Sequence, residues 1–232
     1  MIKILVIGLS SEMGGTENYI YNLVQRLDKT KFNMDFLVID EGRCTPYQNE
    51  INKYFDDGRN HFYYCPNIKK SMITGIKWLK HFYSNNYYDV IYMNATTSAR
   101  IAYCQYAIRK FKTPLITHSH RSDGSKINHY ICRHYVTEHS KFKLACSNNA
   151  AEWMFGKKEK NYILISNGII AEKFKFNKVY RDEIRNELDI SDDKYIIGHV
   201  GRFSEEKIMT FSSNWLKNSI KDMCSYSLER DR

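Results

Sequence analysis

The strongest constraint on this chain is an alternation of short apolar runs with helical patterns, which begins at the first residues. The run Ile2–Ile7 is apolar apart from Lys3, as expected of a strand buried on both faces of a parallel sheet. A glycine-bearing loop follows it. Thr16 then stands in an N-cap position, and a helix with apolar residues on one face is predicted to reach Leu27.

The same rhythm continues through most of the chain. Further strands are predicted at residues 33–39, 62–65, 90–93, 115–117, 142–146 and 162–165. Helices are predicted at residues 49–55, 72–83, 95–109 and 147–155, with a basic helical stretch after residue 117. Strands that alternate with helices form right-handed βαβ units, so the sequence predicts an α/β fold, a Rossmann-like open parallel sheet with flanking helices.

A second domain is predicted to begin late in the chain. The turn Asn167-Gly168 is followed by a charged helix near residues 180–189 and by a fresh apolar run at residues 195–200. The predicted organisation is an N-terminal domain at residues 1–178, a linker helix with the start of a second domain at 179–207, and an aberrant tail at 208–232.

Charge and cysteine content narrow the partners and the compartment. The formal net charge of +9 favours phosphate-bearing partners, such as nucleic acid, an anionic membrane face or a nucleotide substrate, without choosing among them. The six cysteines form no C-x-x-C pair, which argues against zinc and dithiol sites and favours a reducing cytosol. Since no apolar stretch reaches the roughly 20 residues of a membrane span, we expect a soluble or peripheral protein.

Two loops at predicted strand ends carry candidate chemistry. Gly14 and Gly15 precede the first helix, where backbone N–H groups suit a phosphate, although paired glycines also serve simply as a turn. The absence of a G-x-G-x-x-G fingerprint argues against a nicotinamide site. His118 and His120 follow the strand at residues 115–117, at the rim where open α/β sheets bind ligands, and each can equally be a structural histidine. They could also chelate a metal, but no carboxylate cluster accompanies them.

A third loop, Gly201–Lys207, follows the apolar run at residues 195–200. Arg202 offers a bidentate fork and Lys207 a point charge, which together suit a pyrophosphate. A solvated charged loop is the alternative interpretation.

Four motifs therefore occur in a fixed order along the chain. They are Gly14-Gly15-Thr16-Glu17, Thr117-His118-Ser119-His120, Ser166-Asn167-Gly168-Ile169, and Gly201-Arg202-Phe203-Ser204 with Lys207. As a set they resemble glycosyltransferase family 4, and most closely its bacterial capsular or exopolysaccharide members. The resemblance covers residues 1–207. It implies a GT-B enzyme of two Rossmann-like domains that transfers a sugar from a nucleotide-sugar donor with retention, usually without a metal and with no other cofactor.

The resemblance also implies roles for residues of the first domain. Gly14 and Gly15 would approach the donor phosphates, and Glu17 would lie toward the acceptor. His120 matches the family's donor-sugar histidine, which makes it the candidate catalytic residue.

Other implied roles fall near and beyond the domain boundary. Arg202 and Lys207 would hold the pyrophosphate and stabilise the charge that develops on the leaving nucleotide. Asn167 and Gly168 match the family's interdomain turn, although two isoleucines displace the aspartate that usually follows it.

The segment after Lys207 departs from the family. Residues 208–232 contain no recognisable strand-helix unit, and the two glutamates that the family places in its second domain are missing. If one adenine is restored to an A-rich codon tract at Lys207, the reading frame shifts. The three residues after Lys207 then become Asn, His or Tyr, and Asp, and an apolar segment typical of the family's next helix follows. We therefore predict an out-of-frame tail and little or no transferase activity, with a cloning truncation or a genuine short variant as the alternative.

Two basic sets indicate a peripheral contact with the inner leaflet of the cytoplasmic membrane. They are Lys69-Lys70, Lys77-Trp78 and Lys80-His81-Phe82, and then Arg100, Arg109, Lys110 and Lys112. The resemblance would add a lipid-linked glycan acceptor there. Solvated helix faces with core aromatics are the alternative. The other function considered is a non-catalytic α/β binding module for a membrane or nucleic acid, although no helix-turn-helix, zinc or RNA-binding motif supports nucleic acid.

Overall fold

The computed structural model describes residues 1–39, 43–55, 58–68, 70–122 and 127–196. The chain divides into two compact units, residues 1–171 and residues 172–232. The domain boundary after residue 178 stays a prediction. The loop Gly201–Lys207, most of the apolar run at residues 195–200 and the tail at residues 208–232 lie outside the described residues.

Within the described residues, seven parallel strands form one sheet in the order β3-β2-β1-β4-β5-β6-β7. The strands are β1 (Ile2–Leu9), β2 (Phe32–Val38), β3 (Phe62–Tyr64), β4 (Val90–Ala95), β5 (Leu115–Ser119), β6 (Ser140–Ala145) and β7 (Ile163–Leu164). The predicted α/β fold with an open parallel sheet is confirmed.

Helices cover both faces of this sheet. They are α1 (Gly15–Val24), α2 (Gln48–Tyr54), α3 (Met72–Asn85), α4 (Gln105–Phe111), α5 (Ile127–His139) and α6 (Asn148–Phe155), with a 3₁₀ helix at Ser98–Tyr103. Two helical elements follow β7 in the chain, the 3₁₀ helix Ala171–Phe174 and α7 (Lys178–Glu187). Alternate residues of β1 enter two different cores. Leu5 and Ile7 pack with α3, α4, α5 and α6, whereas Val6 packs with α1 and α2. This two-sided burial explains why the first strand is almost wholly apolar.

The strand order reverses between β1 and β4, so the carboxyl ends of these two strands flank the crevice where open α/β sheets bind ligands. Arg100 lies in this crevice. Its guanidinium donates to the carbonyl of Gly8, at the end of β1, and to the carbonyl of Asn94 in β4 at 2.9 Å. The side chain therefore joins the two strand ends beneath the rim.

The predicted helix at residues 95–109 is wrong. The chain stays in β4 through Ala95, forms the 3₁₀ helix Ser98–Tyr103, and becomes α-helical only from Gln105. Three consecutive hydroxyl residues stand at the start of the 3₁₀ helix, and such side chains compete with helical hydrogen bonds. Thr97 accepts from the backbone N–H of Ala99 and caps this short helix.

The predicted start of the first helix is also wrong. Gly14 is the N-cap and Gly15 the first helical residue, so Thr16 lies in the first turn. The Thr16 hydroxyl donates to the adjacent Glu17 carboxylate instead of capping the helix. The helix ends at Val24, three residues before the predicted end.

The predicted basic surfaces are only partly formed. The Arg100 guanidinium lies in the crevice and donates to the carbonyls of Gly8 and Asn94, so its assignment to a membrane-facing set is wrong. Phe82 is buried and Trp78 packs against the core, which makes these two aromatics core residues. Lys77 and Lys80 are exposed on α3. No helix within the described part of the chain is long and apolar enough to cross a membrane.

The second unit is described up to residue 196. Asn177 caps α7 by accepting from the backbone N–H groups of Val179 and Tyr180. Arg185 is buried near the end of this helix and donates to the carbonyls of Ser191 and Lys194. The predicted charged helix is therefore confirmed, about two residues earlier than its predicted position.

Candidate active site

The first part of the site is the loop between β1 and α1. A Cβ added to Gly14 would lie 3.0 Å from Glu17 Oε2, whereas one added to Gly15 would meet no atom within 4 Å. The backbone at Gly15 is therefore open to a ligand. It begins a helix, and the unpaired N–H groups and dipole of a helix N-terminus attract anions.

Glu17 organises this loop from inside. Its side chain is buried, with 3% of the residue surface exposed. Oε1 accepts from the Ser10 backbone N–H at 3.2 Å and from the Ser10 hydroxyl at 2.9 Å. Oε2 accepts from the Thr16 hydroxyl at 2.7 Å. In this conformation the carboxylate holds both ends of the loop together, and its acceptor-side role stays a prediction.

We expect Glu17→Gln to lower the free energy of unfolding by about 1–3 kcal/mol. The amide keeps one accepting oxygen, but its NH₂ group would face a hydroxyl or N–H donor and leave a buried hydrogen bond unmade. Urea unfolding measures the effect, with Glu12→Gln in the exposed part of the same loop as the control. Equal stability of the two variants would contradict this account.

His120 is the second part of the site. It follows the carboxyl end of β5, where its backbone N–H donates to the carbonyl of Ala95 at 3.0 Å. Its Nδ1 lies 3.1 Å from Asn167 Oδ1. Because a carboxamide oxygen can only accept, Nδ1 carries the proton and Nε2 keeps a free lone pair. Nε2 is buried and makes no hydrogen bond to the described residues.

The environment of His120 keeps the imidazole neutral. Burial, together with the nearby charge of Arg100, lowers its pKa to about 4. The hydrogen bond to Asn167 and the charge of Glu17 act in the opposite direction and are outweighed. At neutral pH the ring is thus a hydrogen-bond acceptor and not a cation.

The His118 ring packs against the His120 ring. It is fully buried, its ring lies 4.1 Å from the His120 ring, and its Nδ1 is 2.6 Å from the Tyr92 hydroxyl. Tyr19 of α1 contacts both imidazoles, at 5.0 Å from the His118 ring and 4.7 Å from the His120 ring. Burial and the neighbouring His120 lower the pKa of His118 to about 3. These rings fix the orientation of His120 and connect it to the first turns of α1.

Asn94 completes the rim. It is fully buried at the carboxyl end of β4, and its Nδ2 donates to the Thr16 carbonyl at 3.2 Å. Its Oδ1 makes no hydrogen bond within the described ranges. Buried polar atoms without partners are uncommon in proteins and often mark functional sites. Here two acceptors, Asn94 Oδ1 and His120 Nε2, lie on adjacent strand ends of one rim.

Comparison with known proteins decides the family. Residues 13–173, which include Gly14, Gly15, Asn94, His120 and Asn167, match glycosyltransferase family 4. The chain belongs to glycosyltransferase family 4. The Gly14-Gly15 loop, His120 and Asn167 therefore lie in a family 4 domain, as the sequence predicted.

A curated relative agrees with this assignment, and solved structures share the fold. A Bacillus subtilis (strain 168) protein described as a candidate glycosyltransferase, EpsF, is 28% identical over 210 residues, which are 85% of this chain and 53% of EpsF. Anabaena Alr3699/HepE, solved in complex with UDP and glucose, superposes with a TM-score of 0.70 at 16% identity, over 94% of this chain and 58% of HepE. The apo form of the lipopolysaccharide outer core galactosyltransferase WaaB gives 0.52 at 18% identity, over 72% of this chain and 46% of WaaB.

These structural likenesses show the fold alone, because all lie below 25% identity. The chain spans about half the length of the relatives that it matches. The candidate site residues that the structure describes all fall in the unit of residues 1–171.

The structure brings together most of the predicted site residues that it describes. His120 contacts Asn167, and Gly14 approaches Glu17. A Cβ on Gly168 would meet no atom within 4 Å, so that residue lies beside the site without a packing role. Arg202 and Lys207 lie outside the described residues, and their pyrophosphate role stays a prediction. The described residues contain no group of three or more His, Cys, Asp or Glu side chains that could hold a metal ion.

Four residues of this site were not predicted as site residues from the sequence. They are Tyr19, Tyr92, Asn94 and Arg100. Asn94 carried a usable signal, because a polar residue at the end of an apolar strand stands at the rim by position alone. No sequence pattern indicated Tyr19, Tyr92 or Arg100, since their roles depend on contacts between α1, β4, β5 and the 3₁₀ helix.

Proposed function

We propose that this family 4 chain carries the acceptor-side domain of a glycosyltransferase that takes its sugar from a nucleotide-sugar donor. The observation that carries the proposal is the neutral His120, whose Nε2 lone pair is unpaired among the described residues at a rim that also presents a helix N-terminus. A sugar hydroxyl can donate to this nitrogen. The diphosphate of a donor suits the open backbone at Gly15.

Each group has a distinct part in the proposed reaction. His120 accepts a hydrogen bond from a hydroxyl of the donor sugar and orients the ring, while Tyr19 and His118 hold the imidazole in place. The N–H groups at Gly14 and Gly15 stabilise negative charge as the nucleotide leaves. The cation of the crevice, Arg100, helps to keep His120 unprotonated and therefore able to accept a hydrogen bond.

The finer features of the proposal have separate support. Transfer with retention and without a metal follows from family 4 membership as the sequence resemblance describes it. A role in capsule or exopolysaccharide synthesis, with a lipid-linked glycan as acceptor, is proposed from the motif set of the sequence. The likeness to EpsF supports the glycosyltransferase activity. The alternative, a non-catalytic binding module, shares the fold but needs no unpaired acceptors at the rim.

Binding of UDP-glucose to the purified chain, followed by NMR of the His120 imidazole, tests the donor site. We expect saturable changes in the NMR signals of His120 and of the Gly14 and Gly15 amides. We also expect His120→Ala to weaken binding about tenfold, because one good hydrogen bond contributes about 1.4 kcal/mol. His134→Gln, at an exposed position of α5, is the matched control. UDP-glucose that leaves these signals unchanged would favour the binding-module alternative.

Sequencing the DNA around codon 207 tests the frameshift hypothesis for residues 208–232, since that hypothesis requires an A-rich tract at Lys207.

A peripheral membrane contact is proposed for α3. Its first turns expose Met72, Ile73 and Ile76, and the exposed Lys77 and Lys80 follow. An apolar cluster followed by lysines suits the interface of an anionic bilayer, and each lysine near such a surface contributes about 1 kcal/mol. The start of α3 follows the carboxyl end of β3, so this surface lies on the same edge of the sheet as the site.

We expect the chain to sediment with phosphatidylglycerol vesicles at low salt and to be released at high salt. Lys77→Gln with Lys80→Gln should reduce binding about tenfold or more, because two charges of about 1 kcal/mol each are lost. Lys157→Gln with Lys158→Gln, a pair beyond the end of α6, is a control of equal charge. Equal loss in both double variants would show a nonspecific charge effect.

A further inference from the structure

The amino edge of the sheet, opposite the family 4 site, contains a cleft that no function described above uses. Its volume is about 880 Å³. It lies between the last turns of α4 and α5 and the first residues of β5 and β6. Cavities of this size accommodate small-molecule ligands. Ile108, Thr113, Leu115 and Ser140 line it as buried residues.

Three cations line the exposed part of this cleft. They are Arg109 and Lys112 at the end of α4 and Lys141 at the start of β6. None of the three forms an ion pair within the described residues. The one carboxylate among the lining residues, Glu138, is 3.2 Å from His134.

The charge balance of the cleft is positive. The C-terminal ends of α4 and α5 each carry about half a negative charge, so together they offset about one of the three cations. The carboxylate of Glu138 offsets the charge of a second cation. About one positive charge therefore remains. Two cations would be enough to balance the two helix ends and Glu138, so capping alone does not explain the third. This favours an anion of modest affinity.

Two further features shape the site for a ligand. Lys112 has φ 55°, a left-handed conformation that favours glycine or asparagine at a helix end, yet lysine stands here. Tyr135 and His139 stack with their ring centroids 3.8 Å apart and form one wall. The Nδ1 of His139 donates to the Tyr135 carbonyl at 2.9 Å, which fixes that ring.

We infer that this cleft binds a phosphate-bearing ligand, held by the Arg109 fork and by the point charges of Lys112 and Lys141. The ligand is the phosphate group of a soluble molecule or of a lipid headgroup, and the chemistry of recognition is the same for both. This site is independent of the proposed donor site, because the two lie at opposite ends of the strands.

Titration with inorganic pyrophosphate, followed by NMR of backbone amides, tests the inference. We expect saturable shifts at residues 109–115 and 138–141, and Lys112→Gln with Lys141→Gln should weaken binding about tenfold. Lys77→Gln with Lys80→Gln on α3 is the charge-matched control and should leave the affinity unchanged. Circular dichroism confirms that both double variants fold.

A second arm with phosphatidylglycerol vesicles distinguishes the sources. If the Lys112 and Lys141 double variant loses binding both to pyrophosphate and to vesicles, the ligand is a lipid headgroup. If it loses pyrophosphate binding alone, the ligand is soluble. Pyrophosphate shifts that leave residues 109–115 and 138–141 unmoved, or an affinity that the double variant retains, would overturn the inference.

Discussion

Gly8→Ala should destabilise the fold more than any other single methyl addition at the described glycines. Gly8 has φ +115°, a conformation that side-chain-bearing residues rarely adopt. A Cβ there would overlap with the carbonyl oxygen of Asn94 and with the guanidinium of Arg100. The clash is with backbone and with a guanidinium that itself donates to the Gly8 carbonyl, so neither neighbour can move at low energetic cost. Strain and overpacking together predict a loss of about 3–5 kcal/mol in the free energy of unfolding.

Gly58→Ala separates the two causes of this loss. Gly58 also has positive φ, +66°, but a Cβ there would meet no atom within 4 Å. We expect this control to lose only about 1 kcal/mol, from backbone strain alone. Urea unfolding of both variants measures the difference. If both lose the same free energy, the close approach of Arg100 to the β1 and β4 ends is not a structural requirement.

Acid should destabilise the fold well before the carboxylates titrate. Burial lowers the pKa of His118 to about 3 and of His120 to about 4, from 6.5 in the unfolded chain. Below pH 6.5 the unfolded chain therefore binds protons that the folded chain does not bind. Stability is complete above about pH 6.5 and falls with pH, by about 1.4 kcal/mol per pH unit for each histidine, down to about pH 4.

The slope of stability against pH is the measured quantity. His118→Gln should reduce that slope by about 1.4 kcal/mol per pH unit between about pH 6 and 4, whatever it does to stability at neutral pH. His134→Gln removes an exposed histidine of α5 and should leave the slope unchanged. A slope that His118→Gln fails to reduce would mean that His118 is protonated in the folded protein. Burial also lowers the pKa of His129, so part of the slope remains in every variant.

Sequence and structure contributed different parts of the candidate site. The positions of Gly14, Gly15 and His120 followed from the sequence, because parallel strands bring their carboxyl ends to one edge and loops there form the rim. The protonation state of His120 could not be predicted from the sequence. That state depends on Asn167, 47 residues away, and on burial beneath Tyr19.

Arg100 shows where sequence reasoning failed. Its neighbours in sequence made it one member of a basic surface set, and a helix was predicted around it. In the fold it crosses from the 3₁₀ helix to the ends of β1 and β4, because two carbonyls there lie within its reach. A contact across 92 residues leaves no periodic trace in the sequence.

The amino-acid sequence by itself determined the α/β class, the parallel sheet and the edge of the sheet at which the candidate site lies. Local hydrophobic period and loop composition are short-range properties, and they suffice for these conclusions. Only the tertiary structure decided which polar residues are buried, which charges meet and which hydrogen-bond acceptors stay unpaired. Those properties arise from packing between distant segments, since burial and partners together set the pKa and the hydrogen bonds of each group.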